Sequence, residues 1–319
     1  MAIEIAAIST IIGIIKDLVS AISALWKWLH KRKSKGEPSP EIGPTSEGDS
    51  LFGVARRFVQ IYKAHGVKRS QIPRLLGEES GLSLDAVSTD EKLLAALNEN
   101  LINKTCEIFG VRREWLDGKD VPIYPYRWFD KNLDAFIDFQ ARLKQESKEL
   151  QCLFIKCPQD KLDKGDERWP IAVVIRQEID HWGHFSEDSI WRYYPASDMY
   201  YLWGHERTRL QLKAMALIAW QFGIHIGGCQ LPKKDIEGIV AGSVFPGPLL
   251  EHRSHGAWHP DDYIFAKGES CAVADQKEAL AVREFMVKYG LLEKLISLTG
   301  PIKIPLKNVI DPKLKELEY

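Results

Sequence analysis

A chain of 319 residues with 45% hydrophobic and 27% charged side chains is long enough for two or three domains and too apolar for wholesale disorder. Its formal net charge of -1 supplies no overall attraction to nucleic acid or anionic lipid, so any such contact must come from a local patch. Five cysteines (Cys106, Cys152, Cys157, Cys229 and Cys271) contain no CxxC pair, which argues against a zinc ribbon or a disulfide framework and suits a reducing cytoplasm.

The first element, residues 1–35, is strongly periodic. Ile5, Ile8, Ile12, Ile15, Val19, Ile22, Trp26 and Leu29 recur at spacings of three and four, which predicts an amphipathic helix. Ile11, Ile14, Leu18, Leu25 and Trp28 widen its apolar face beyond a two-stranded seam, so this surface must be covered. The first expectation is packing or self-association through residues 3–29. The second is an interfacial membrane helix, with the basic end Lys27 to Lys35 meeting anionic headgroups. A membrane span ranks third, because Lys16 and Asp17 fall in its middle and each costs about 2.5–3.5 kcal/mol there. A secretory signal is not expected, since the first charge is Glu4 and the basic cluster follows the apolar part. Residues 36–50 (GEPSPEIGPTSEGDS) read as an exposed linker.

Residues 51–120 return to a period of about 3.6. Phe52, Ala55, Phe58, Val59 and Tyr62 line one helix that ends near His65-Gly66; Ser70 precedes a second, with Pro73 confined to its first turn. Ser83 or Ser88-Thr89 would start the next helices, residues 90–97 are strongly helical, and Leu101 to Phe109 form the last before Gly110-Val111. Gln71, the Gly81-Leu82-Ser83 turn and the closing Ile108-Phe109-Gly110-Val111-x-x-x-Trp115-Leu116-x-Gly118 resemble the Cro/CI (XRE-like) helix-turn-helix family over residues 56–118. Pro73 and the longer turn over residues 77–81 depart from that pattern. The resemblance implies an all-α five-helix head whose helix from Ser83 lies in a DNA major groove, with Arg69, Gln71, Arg74, Ser83, Ser88 and Thr89 approaching bases or phosphates. Asp85, Asp90 and Glu91 are poor company for phosphates, and residues 51–120 hold 11 Lys/Arg against 10 Asp/Glu.

Residues 121–319 change character. After the connector Val121 to Tyr126 and an amphipathic helix from Trp128 to Glu149, four segments rich in β-branched and aromatic residues read as strands: Cys152–Cys157, Ile171–Ile179, Ser189–Tyr194 and Met199–Trp203. Helices follow at Glu206–Phe222, Lys233–Ala241 and Val273–Ser297, while Gly223 to Gly228 reads as a turn. That order predicts an α+β domain with a mainly antiparallel sheet and helices on one side. The expected chain is thus multidomain: helix, linker, helix-turn-helix domain and α+β sensor or interaction domain.

Chemistry is sparsely written. Phosphate-binding glycine loops, nucleophile elbows and HExxH are missing from the sequence, and no cofactor is implied. His181, His184, His252, His255 and His259 are weak metal-ligand candidates; loop histidines are more often surface hydrogen-bonders. Tyr194, Trp203, Arg207 and Arg209 interleave aromatic and guanidinium groups as in clamps for small anionic ligands, although a buried aromatic strand gives the same pattern. Two functions are expected. One is a cytoplasmic, bacterial-type DNA-binding transcription regulator that self-associates through its first helix and senses a ligand or partner. The other is a self-assembling stress or phage-defence effector, peripheral to a membrane, whose head serves protein contacts; an enzyme using the histidines is a third.

Overall fold

A computed structural model describes residues 51–147, 149–166, 168–183, 189–197, 201–251, 258, 260 and 273–302. The expected N-terminal helix and linker lie outside these, as do His184, His252, His255 and His259. Residues 49–319 belong to one compact unit. Its described part holds eleven helices and a mixed sheet of five strands.

The described part begins with α1 (Leu51–Ala64), followed by α2 (Ile72–Leu76), α3 (Asp90–Ala96), α4 (Glu99–Phe109) and α5 (Arg113–Leu116). Thr89 and Asn98 start α3 and α4 by accepting the Lys92 and Leu101 amides, and Gly110, with φ 66°, ends α4 in the left-handed conformation. Between α2 and α3 the expected helix from Ser83 is replaced by turns. The cause is local. Ser83 Oγ accepts the Ala86 amide at 3.1 Å as a cap would, but the Asp85 carbonyl is taken by the Ser88 amide at 3.1 Å and the Ser88 hydroxyl at 2.6 Å, and Thr89 is extended as the cap of α3, so the turn goes no further.

The remaining elements are α6 (Leu133–Glu146), β1 (Leu150–Lys156), β2 (Pro170–His181), β3 (Ser189–Pro195), β4 (Tyr201–Leu202), α7 (Glu206–Gln221), β5 (His225–Gln230), α8 (Lys233–Val240), α9 (Pro246–Glu251), α10 (Val273–Lys288) and α11 (Leu291–Thr299). The strand order is β3-β2-β1-β5, with β4 paired to the start of β2. β2 is antiparallel to β1, β3 and β4, and β5 runs parallel to β1 from Gln151↔His225 to Lys156↔Gln230. The sheet is therefore mixed, and α7 leads from β4 into the parallel edge strand. Of the expected turn at residues 223–228, Gly223 is a turn residue with φ 67°, but from His225 onward the segment is corrected to a strand, whose glycines fit close neighbours. A Cβ at Gly228 would meet the Trp258 carbonyl at 2.3 Å, and one at Gly227 the Leu153 side chain at 2.9 Å. The single long helix expected from Val273 is broken at Gly290, whose φ of 67° is left-handed.

Helices cover both faces of the sheet, where one covered face was expected. Cys152, Phe154, Val173, Ile175 and Tyr194 face α6, α7, α10 and α11. The alternate residues Ile155, Ala172, Val174, Trp191 and Tyr193 share a second core with Phe58, Tyr62, Phe109 and Leu116 of the helical head and Ile236 and Ile239 of α8. The extended connector binds the halves further: the Arg112 amide donates to the Ile123 carbonyl and the Ile123 amide to the Gly242 carbonyl, both at 2.7 Å. The expected boundary at residue 120 is thus crossed by one continuous core. Among the described residues no helix is long and apolar enough to cross a membrane.

Candidate functional site

The six side chains expected to approach DNA are tied into bonds within the chain. Arg69 Nη1 pairs with Asp90 Oδ1 at 2.8 Å, and its Nε donates to the Val87 carbonyl. Gln71 accepts the Lys68 amide at 2.9 Å, while Ser83, Ser88 and Thr89 hold the turn-and-cap bonds already described. The Arg74 guanidinium stacks over the Trp182 ring at 4.6 Å, at the tip of the β2–β3 hairpin, so it is turned onto the sheet. Leu116 is buried in the core of the helical head, and Trp115 meets Phe245, just before α9, edge to face at 5.4 Å.

The seam between head and sheet centres on His65. This ring is buried among Phe109, Tyr193 and Phe245. Its Nδ1 lies 2.6 Å from the Ile61 carbonyl, so that nitrogen carries the proton, and Nε2 is 3.4 Å from the Tyr124 hydroxyl. Burial pushes its pKa down to about 4, against the Ile61 bond and with help from the Arg192 charge. Neutral imidazole is a seam component here. No chemistry follows from it.

The remaining described histidine of the metal candidates, His181, sits at the hairpin with Glu178 and Ser189. His181 Nδ1 lies 3.1 Å from Glu178 Oε1 and 2.9 Å from Ser189 Oγ, while Ser189 Oγ donates to Glu178 at 2.6 Å. A serine-activating relay needs one ring nitrogen for the hydroxyl and the other for the carboxylate. A single nitrogen serves both, which makes this trio a hairpin clasp. Among the described residues, no three His, Cys, Asp or Glu side chains gather as metal ligands. Burial raises the Cys152 and Cys229 thiols to about 12 and Cys106 to about 11, holding them in the unreactive protonated form.

The four aromatic and basic candidates separate. Tyr194 and Trp203 are core residues, and the Tyr194 hydroxyl donates to Gln177. Arg209 is buried on α7 and bonds Glu278 Oε1 of α10 at 2.5 Å and the Trp203 carbonyl at 2.8 Å. Lys213, one turn on, donates to Glu278 Oε2 at 2.6 Å, and Lys164 adds a third cation at 3.5 Å. Burial opposes ionisation of Glu278, but the Lys213 and Arg209 hydrogen bonds outweigh it and hold the carboxyl below its ordinary range.

Arg207 lines a cavity among the described residues. A space of about 140 Å³ lies between the start of α6, the first turns of α7 and the α10–α11 junction. Leu133, Phe285 and Leu291 form apolar walls, with Lys131 and Arg207 on the rim. Gln211, which the sequence reading missed, faces the same space with 1% of its surface exposed. Its position one turn beyond Arg207 on a helix was the available signal. No protein-family model, curated protein or solved structure matches the chain.

Proposed function

We propose that this chain is a self-assembling interaction protein in which the Cro/CI-like helical head braces the sheet and serves protein contacts, in place of reading DNA. The observation that carries this reading is the closure of residues 69–92 upon themselves and onto Trp182. Where a recognition helix would present donors, Leu84 stands 65% exposed beside Asp85, with Glu78, Glu79 and Glu91 in the same stretch. An apolar tip flanked by carboxylates suits a protein surface and repels phosphates. The broad apolar face of residues 3–29, a feature of the sequence, supports self-association.

The test is fluorescence anisotropy of a labelled mixed-sequence duplex, titrated with the full chain at about 50 mM salt, where counterion release favours binding most. The reading predicts no saturable binding. Saturable binding that weakens tenfold on Arg69→Ala plus Arg74→Ala would restore DNA contact as the function.

A further inference from the structure

The geometry points to a second site, independent of what the head contacts: we infer that the cavity beside α6 and α7 binds a small organic monoanion of about one aromatic ring that carries a hydroxyl or N–H donor opposite its acid group. Size comes first. At about 140 Å³ the space is close to the roughly 150 Å³ core cavity that accepts a benzene molecule. Leu133, Phe285 and Leu291 supply the apolar contact that such a ring requires.

The preference for an anion has three sources. Arg207 forms no ion pair or hydrogen bond with any described residue, and it stands at the rim. Lys131, also on the rim, reaches only Asp130, at 3.7 Å across an exposed edge where such a pair is worth little. The third is the start of α6, a helix of 14 residues. Its cap Asn132 accepts the Ala135 amide, and its carbonyl takes the Phe136 amide at 3.4 Å, which leaves the Leu133 and Asp134 amides uncommitted among the described residues. The one carboxylate on the lining, Asp134, is matched by Lys294 at 2.8 Å.

The demand for a donor comes from Gln211. Its Nε2 is fixed on the Phe129 carbonyl at 2.9 Å, and that bond orients the amide. Its Oε1 has no partner among the described residues and faces the space, where water reaches it. An occupant that displaces this water must bring a hydroxyl or N–H group of its own, or leave the acceptor unpaired. A bare inorganic anion would leave both this acceptor and the apolar walls unused.

Isothermal titration of the full chain with 4-hydroxybenzoate, benzoate, 4-hydroxybenzyl alcohol and inorganic phosphate tests the assignment. The hydroxy acid is expected to bind most tightly, with benzoate and the neutral alcohol each at least about fivefold weaker and phosphate weakest, in line with one lost polar contact apiece. Arg207→Glu, a surface change that leaves the thermal midpoint in place, is expected to weaken the hydroxy acid at least tenfold, and Arg207→Lys to retain most of the binding. Binding unaffected by Arg207→Glu would overturn the site. Phosphate equal to the ring acids would reduce it to a simple anion patch and overturn the ligand class, and no heat from any probe would overturn both.

Discussion

Replacing Glu278 by Gln is expected to cost about 3–5 kcal/mol of folding stability, the range for breaking a buried ion pair from one side. The carboxylate of Glu278 is the point at which α10 is fastened to α7, through Arg209 at 2.5 Å and Lys213 at 2.6 Å. Both cationic side chains are nearly inaccessible, so solvent cannot take over when the charge is removed. The loss is a desolvation effect: the damage comes from the cations left behind. It follows that the triple change Glu278→Leu, Arg209→Met, Lys213→Met should recover most of what Glu278→Gln loses. Urea unfolding followed by circular dichroism measures both. A loss below about 1 kcal/mol for Glu278→Gln, or a triple variant as weak as the single one, would mean that the cluster is wetter than its burial implies.

Stability should fall by about 3 kcal/mol between pH 7 and pH 4 through His65 alone, since each unit of pKa displacement is worth about 1.4 kcal/mol. The sign follows from proton uptake. Unfolded His65 protonates near its ordinary value of 6.5, whereas the folded chain refuses that proton until about pH 4. Between these values the unfolded state binds more protons, so folding weakens as pH falls through the window and is unaffected by this group above it. Carboxylates add their own acid dependence at lower pH. The comparison that isolates His65 is therefore the slope between pH 6.5 and 4.5 in the parent chain against His65→Phe, whose ring is of similar bulk among Phe109, Tyr193 and Phe245. The parent slope should be the steeper. Equal slopes would place a charged or water-accessible imidazole at the seam.

Strands β1, β2 and β3 were legible because β-branched and aromatic residues crowd into short runs, α1, α4 and α8 because their periodicity is close to 3.6, and α3 because Thr89 caps a run of strong helix formers. β5 was not, since Gly227 and Gly228 signal a turn to any local reading. Their purpose is set by Leu153 and Trp258, which are distant in sequence. The run Ile171-Ala-Val-Val-Ile175 did carry a signal that both faces of the sheet are covered, because a half-exposed strand alternates and this one does not. That signal is what joins the head to the sheet. At the candidate sites, residue types told less than partners. Arg207 and Arg209 are two positions apart on α7, yet one reaches a cavity rim and the other a buried carboxylate. Arg69 and Arg74 read as a phosphate-facing pair and instead meet Asp90 and Trp182.

The helical head and the sheet share one core and are expected to open together. Native-state hydrogen exchange measures this most directly, by comparing the amides of Thr105 and Cys106 in α4 with those of Val173 and Val174 in β2, all buried in or beside the seam. A shared core predicts opening free energies that agree within about 1 kcal/mol across the two groups. Head amides that exchange through an opening at least about 2 kcal/mol cheaper, while Val173 and Val174 stay protected, would instead show a head that detaches on its own.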